Sequence, residues 1–133
     1  MAVVPVVAMV VVKGRNVLAE VRKATDDFGA GAVWIPGGHL EAGETPEQAF
    51  FREAKEELNV QPVTYYPLCQ LPWEHNGKQH MVHYFACTKW VGEIECREAS
   101  ELIWLDEDHL DRLDETVDRE AIQQYLKKSE NRD

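Results

Sequence analysis

The chain opens on an almost unbroken apolar run, Ala2 to Val12, rich in valine and closed by Lys13-Gly14-Arg15-Asn16. An apolar run without polar alternation suits a strand covered on both faces. The turn signal between it and Val17 to Arg22 predicts a β-hairpin. Ala24 to Ala32, punctuated by Asp26-Asp27, Gly29 and Gly31, reads as a loop. Val33 to Ile35 is a short apolar run stopped by Pro36-Gly37-Gly38.

Periodicity changes at Pro46. From there to Leu58 the spacing predicts a helix, with Phe50, Phe51, Ala54 and Leu58 on one apolar arc. Thr45 suits the N-cap, Pro46 the first helical position, and Gln48 completes a Thr-x-x-Gln capping box. Asn59 can take the left-handed conformation that closes the helix. Thr64 to Trp73 and Gln79 to Trp90 then flank Asn76-Gly77, which favours a type I′ hairpin. Leu102 to Leu105 reads as a short strand, Asp106 to Leu113 as a turn or short helix, and Val117 to Lys128 as a closing amphipathic helix. Hairpins interspersed with helices, in place of repeated βαβ units, predict an α+β chain with a mixed sheet between helices, an α/β/α sandwich.

At 133 residues the chain suits a single domain over residues 1–133, with one active site. A net charge of −10 disfavours a nucleic-acid polymer or an anionic membrane surface as partner, and a polyphosphate would need cations to screen it. The opening apolar run is too short to span a bilayer and has no basic residue before it, so it reads as a strand and not as a secretion signal. Cys69, Cys87 and Cys96 are odd in number and form no CxxC pair, which fits a reducing cytoplasm better than a disulfide framework or a zinc site. His39, His75, His80, His83 and His109 show no ligand spacing.

The candidate chemistry sits on the Pro46 to Leu58 helix. Glu53, Glu56 and Glu57 are related by three- and four-residue steps, so their carboxylates can converge, and like charges so placed repel unless a cation joins them. Ala49 falls in the same arc, where its small side chain would leave space for a metal and its waters. Hard cations such as Mg²⁺ take carboxylate, carbonyl and water oxygens, and a carbonyl of the Gly37-Gly38 turn is within the reach of such a site. Three glutamates on a helix are, taken alone, more often a solvated surface.

The surrounding pattern changes that balance. Gly38 is followed by five residues, Glu44, seven residues, Arg52-Glu53, Ala54, Lys55, Glu56-Glu57, Leu58, Asn59 and Val60. This resembles the box of the Nudix hydrolases, of the MutT-like kind, departing from it at Asn59, where glycine is usual. Asparagine is the next-best residue for a left-handed cap. Trp34-Ile35-Pro36-Gly37 and the Glu98 to Trp104 segment also look like sequences of that family.

The resemblance implies the Nudix fold and hydrolysis of a nucleoside diphosphate linked to another group, with Mg²⁺ as cofactor and Mn²⁺ as a substitute. By carry-over Glu53, Glu56 and Glu57 are metal ligands, joined by the Gly38 carbonyl, and Glu44 and Arg52 form a supporting salt bridge. The general base is then Glu53 or Glu56 of the box, or a glutamate of the later loop: Glu98, with Glu95 and Glu101 as competitors. A small-molecule nucleotide is the implied partner, and the resemblance also admits a homodimer.

Substrate contacts are less defined. Trp34, Trp73, Phe28 and Tyr84 could stack on a base, although aromatic residues in strands are more often core. Arg22 and Lys23 could meet phosphates, with Gly37 as a further candidate substrate contact, and a solvated surface accounts for the basic pair equally well. The segment Gly29-Ala30-Gly31 with Trp34 to Glu41 resembles triphosphate-cleaving members. No proline matches the position associated with ADP-ribose hydrolases. The expectation is therefore cleavage of a nucleoside triphosphate, ordinary or oxidised, to the monophosphate and pyrophosphate. Hydrolysis of ADP-ribose or a related diphosphate, a non-catalytic nucleotide-binding module and a purely structural acidic protein are the alternatives.

Overall fold

A computed structural model describes residues 2–23 and 31–130. Its elements are β1 (Val4–Lys13), β2 (Asn16–Val21), β3 (Val33–Trp34), β4 (Gly37–His39), α1 (Pro46–Leu58), β5 (Gln61–His75), β6 (Lys78–Val91), β7 (Glu101–Asp106), a 3₁₀ turn at Glu107–Arg112 and α2 (Thr116–Glu130). Most of the Ala24 to Ala32 loop, with Phe28 and the Gly29-Ala30 part of the glycine-containing segment, lies outside the described residues.

The seven strands form a mixed sheet in the order β3-β2-β1-β6-β5, with β4 also pairing β1 and β7 also pairing β2. β1 explains the opening valine run. It is parallel to β6, from Val4 opposite His80 to Val11 opposite Cys87, and both of its faces are covered. Val6, Ala8, Val10 and Val12 join the core beside Ala121 and Ile122 of α2. Val7, Met9 and Val11 pack with Phe50, Ala54 and Leu58 of α1. Side chains alternate across a strand, so each helix receives one half of the run and no polar half remains. The sheet lies between helices, the α+β sandwich expected from the element order.

Asn76 and Gly77 take φ of 52° and 75° in the β5–β6 hairpin, the left-handed pair that a type I′ turn demands. Two sequence expectations need correction. Pro36-Gly37-Gly38 is not simply a stop, because Gly37–His39 forms β4, antiparallel to β1 with Ala8 opposite Gly37 and Val7 opposite Gly38. A β-carbon on Gly37 would lie 2.2 Å from the Val7 carbonyl oxygen, so this approach requires glycine. Ala49 does not line an open metal space either: it is fully buried in the core with Phe50 and Ala54. Its small size lets α1 settle close to the sheet.

Candidate active site

Helix α1 carries the acidic residues in a fixed frame. Thr45 accepts a hydrogen bond from the Gln48 amide at 3.1 Å and donates its own amide to Gln48 at 2.9 Å, the reciprocal box read from the sequence. Asn59 closes the other end in the left-handed conformation, φ 59°. Leu58 and Glu57 carbonyls accept the amides of Glu95 and Arg97, so the segment between β6 and β7 is laced to the end of α1.

That lacing brings Glu98 to the helix. Ligand oxygens of Glu53, Glu57 and Glu98 all lie within 4.8 Å of one another. Glu57 is 3% exposed, Glu53 8%, and Glu98 is open to solvent. Burial pushes the Glu57 carboxyl well above the ordinary carboxylate range, reinforced by the charges of Glu20, Glu53 and Glu98. Glu53 is raised by burial too, with Arg52 opposing the shift. Among the described residues Glu57 Oε2 is buried without a hydrogen-bond partner. Convergent hard oxygens, one of them orphaned in a dry site, fit a divalent cation.

Glu56 stands apart from this cluster. It is exposed, and its Oε2 lies 3.0 Å from Arg52. Of the loop competitors, Glu95 accepts from the Asn59 side chain at 2.7 Å and Glu101 starts β7 opposite Val21. Glu98 is the loop carboxylate that meets Glu53 and Glu57.

Arg52 organises the approach to the cluster. Its Nε donates to Glu44 at 2.6 Å, one terminal nitrogen donates to the His39 carbonyl at 2.9 Å and to Glu44 at 3.0 Å, and the other reaches Glu53 at 2.8 Å. The loop before α1 is thereby tied to the helix, and Glu44 is held below its ordinary pKa by the Arg52 hydrogen bond. Gly38 lies against the Glu53 carboxylate, where an added β-carbon would come 2.5 Å from Oε1. The backbone of β4 therefore runs directly beside the acidic cluster.

On the other side of β4 is a cleft of about 690 Å³ including its open mouth, lined by Arg22, Trp34, Gly37, Trp73, Tyr84 and Asp118 among others. Trp34 and Trp73 meet edge to face at 5.5 Å, and Trp73 tilts against His80 at 4.8 Å. The Arg22 guanidinium lies 5.4 Å from the Trp34 ring. Tyr84 is fully buried, its hydroxyl donating to Asp118 at 2.7 Å. Burial raises the Asp118 carboxyl to about 6 against that hydrogen bond. Glu115 accepts from the Trp73 indole at 3.1 Å. Gly38 borders both the cleft and the acidic cluster, and Arg22 lines the cleft.

Sequence reasoning missed Glu20, Glu115 and Asp118. Glu20 is 1% exposed on β2, where Leu18 on the same face is core; a single carboxylate at an inward position of Val17-Leu18-Ala19-Glu20-Val21 was the available signal. Asp118 had a similar one, sharing the helical stripe of Ala121, Ile122 and Tyr125.

A mixed sheet between two helices, with the Gly38-to-Val60 pattern folded around a glutamate cluster, is the architecture of one family. The NUDIX domain model matches residues 2–125, and the chain belongs to the Nudix family. It is 34% identical over 85 residues to an 8-oxo-dGTP diphosphatase of Haemophilus influenzae, covering 64% of this chain and 62% of the relative. An 8-oxo-dGTP diphosphatase of Escherichia coli is 32% identical over 84 residues, covering 63% and 65%. The chain thus spans under two thirds of these curated relatives. The solved MutT NUDIX hydrolase of Burkholderia pseudomallei superposes with a TM-score of 0.83 over 93% of this chain and 98% of that one, at 24% identity, a likeness of fold. Among the described residues no helix is long and apolar enough to cross a membrane.

Proposed function

We propose that this chain is a Mg²⁺-dependent pyrophosphohydrolase that cleaves a nucleoside triphosphate to the monophosphate and pyrophosphate. The observation carrying this reading is the junction at Gly38, which lies against Glu53 of the acidic cluster and also lines the neighbouring aromatic cleft. The 8-oxo-dGTP diphosphatase relatives support the same reaction class.

Glu53 and Glu57 would hold the cation, with the Gly38 carbonyl alongside. Glu56 is a further ligand in reach of the same face, at present turned to Arg52. A bound divalent cation neutralises phosphate oxygens and lowers the pKa of a water. Glu98, the solvent-facing member of the cluster, takes the proton from the attacking water. Arg52 and Glu44 keep Glu53 and the preceding loop in place. Arg22 meets the phosphate chain, while Trp34 and Trp73 flank the base. The carboxyl groups of Asp118 and Glu115 also line the cleft, already accepting from Tyr84, Ile35 and Trp73, and their remaining lone pairs suit a base edge rich in N–H donors. A guanine-type base, ordinary or oxidised, suits that edge.

Pyrophosphate and orthophosphate release should be measured with ordinary and oxidised nucleoside triphosphates, ADP-ribose and dinucleoside polyphosphates, each with Mg²⁺, Mn²⁺ or EDTA. Metal-dependent pyrophosphate release, fastest with a guanine triphosphate, is the expected result. Turnover of ADP-ribose alone would overturn the substrate assignment.

A further inference from the structure

Trp73 and Glu115 both line the aromatic cleft but come from distant parts of the chain, one from β5 and the other from the residue that precedes α2. The Trp73 indole Nε1–H donates to Glu115 Oε2 at 3.1 Å. An indole has one donor and no acceptor, and Glu115 supplies a carboxylate oxygen for it. The body of the indole is packed by other rings. His75 stacks on it at 4.8 Å with 22° between the planes, and His80 tilts against it at the same distance. His80 is itself held: it is buried, and its Nδ1 lies 3.1 Å from the Lys78 carbonyl and 3.3 Å from the Trp73 carbonyl. Both neighbours are acceptors, so that nitrogen carries the hydrogen.

The two ends of the Trp73–Glu115 bond have separate anchors. Trp73 stands opposite His80 in the β5–β6 ladder. Beside Glu115, the Asp114 amide donates to the Val33 carbonyl at 3.0 Å and the Asp114 carboxylate accepts the Val33 amide at 2.6 Å. The Glu115 carbonyl accepts the Asp118 and Arg119 amides as α2 begins. What remains soft is the torsion that turns the indole plane, which has broad minima, so contacts set the ring angle. Ring packing resists displacement but is weakly directional, whereas a hydrogen bond weakens steeply as it bends. The bond to Glu115 is the directional contact on Trp73.

We propose that Glu115 is a positioning residue for the substrate base, holding the Trp73 indole by its N–H so that this wall of the cleft is set before the base arrives. This rests on the nucleotide reading above. Stacking depends on the relative orientation and offset of the rings. A wall already oriented lowers the ordering cost of binding, and the bound substrate and the transition state share that gain. The effect therefore belongs to affinity and KM more than to kcat.

The test compares Glu115→Gln, Glu115→Met, Trp73→Phe and the Glu115→Met/Trp73→Phe double variant, with folding checked by circular dichroism. Three readouts are taken: calorimetric binding of α,β-methylene GTP in Mg²⁺, kcat and KM for guanine triphosphates, and the indole N–H signals of the four tryptophans in a ¹⁵N–¹H correlation spectrum. The Trp73 signal is the one that Trp73→Phe removes. Glu115→Met is expected to shift that signal, speed its exchange with solvent, and weaken analogue binding roughly ten-fold, with KM rising more than kcat falls. Glu115→Gln keeps a neutral acceptor at the same reach, and should restore binding to within about three-fold of wild type. In the Trp73→Phe background, where no N–H remains to be held, Glu115→Met should cost no more than about three-fold.

Unchanged binding in Glu115→Met overturns the proposal, as does a Trp73 indole signal that the substitution leaves in place. A cost above three-fold in the Trp73→Phe background also overturns it, because Glu115 would then act on the substrate without the indole. A loss that falls on kcat alone does the same. Wild-type turnover of triphosphates with no effect at Glu115 sinks this inference and leaves the hydrolase reading. Analogue binding that depends on Glu115 through Trp73, without hydrolysis of any triphosphate, sinks the hydrolase reading and leaves the positioning role standing. Absence of both binding and turnover in the wild type sinks both.

Discussion

At the residue scale the sharpest contrast is between neighbours. Glu57 is buried with an orphaned oxygen, whereas Glu56 is exposed and paired to Arg52. Glu57→Gln removes a charge from a crowded dry site without changing its volume. It should therefore fold at least as well as wild type and lose about two orders of magnitude in kcat/KM at saturating Mg²⁺. Glu56→Gln should lose less, about ten-fold, if its main partner remains Arg52 during turnover. Steady-state kinetics over a Mg²⁺ titration measures both, and equal losses would show that Glu56 leaves Arg52 to join the cation. Glu98→Gln should depress kcat while leaving Mg²⁺ and analogue affinity near wild type, because a proton acceptor exposed to solvent contributes to the chemical step more than to binding. A loss of Mg²⁺ affinity in that variant would instead make Glu98 a ligand.

Individual elements show why some of this was legible and some was not. Helix α1 was readable from end to end, because Thr45, Pro46, Gln48 and Asn59 are local signals whose effect does not depend on the rest of the chain. The β5–β6 hairpin was readable from Asn76-Gly77 for the same reason. β4 was not: a Pro-Gly-Gly sequence has little strand propensity, and only the approach of β1, which leaves no room for a β-carbon at Gly37, makes it a strand. Gly37→Ala should accordingly destabilise the fold by about 2 kcal/mol or more, measured by urea unfolding, since the obstacle is the backbone of Val7 and cannot swing aside. The pairing of β1 with β6, and the arrival of Glu98 beside Glu57, join residues far apart in the chain and left no local trace. Asn59 lies between these cases. The cap was foreseen, but its side chain also donates to Glu95. Asn59→Gly trades that exposed bond for an easier left-handed backbone. The two effects are of similar size, so unfolding free energy should stay within about 0.5 kcal/mol of wild type.

At the scale of the whole molecule the buried acids set how stability responds to pH and metal. Glu20 is raised by burial from 4.5 to about 7, and Asp118 by burial from 3.8 to about 6. A carboxyl raised in the folded state binds more protons folded than unfolded. Its favourable contribution is complete below its unfolded pKa and is lost as pH climbs through the folded value. The window here runs from about pH 4 to pH 7, and the Glu20 shift alone corresponds to a stability change on the order of 3 kcal/mol. In EDTA the melting temperature should fall by about 10 °C between pH 5 and pH 8. A divalent cation favours the ionised carboxylates of the cluster, so saturating Mg²⁺ should recover several degrees at pH 8 and little at pH 5. Asp118 provides the internal control, because it lies in the cleft beside Tyr84 and not in the cluster. Asp118→Asn should shrink the pH-dependent fall by its own share and leave the Mg²⁺ recovery intact, whereas Glu57→Gln should reduce both. Calorimetric melting across pH with EDTA or Mg²⁺ measures all four cases, and a melting temperature in EDTA that is flat or rises from pH 5 to pH 8 would show that these buried acids do not govern the stability of the fold.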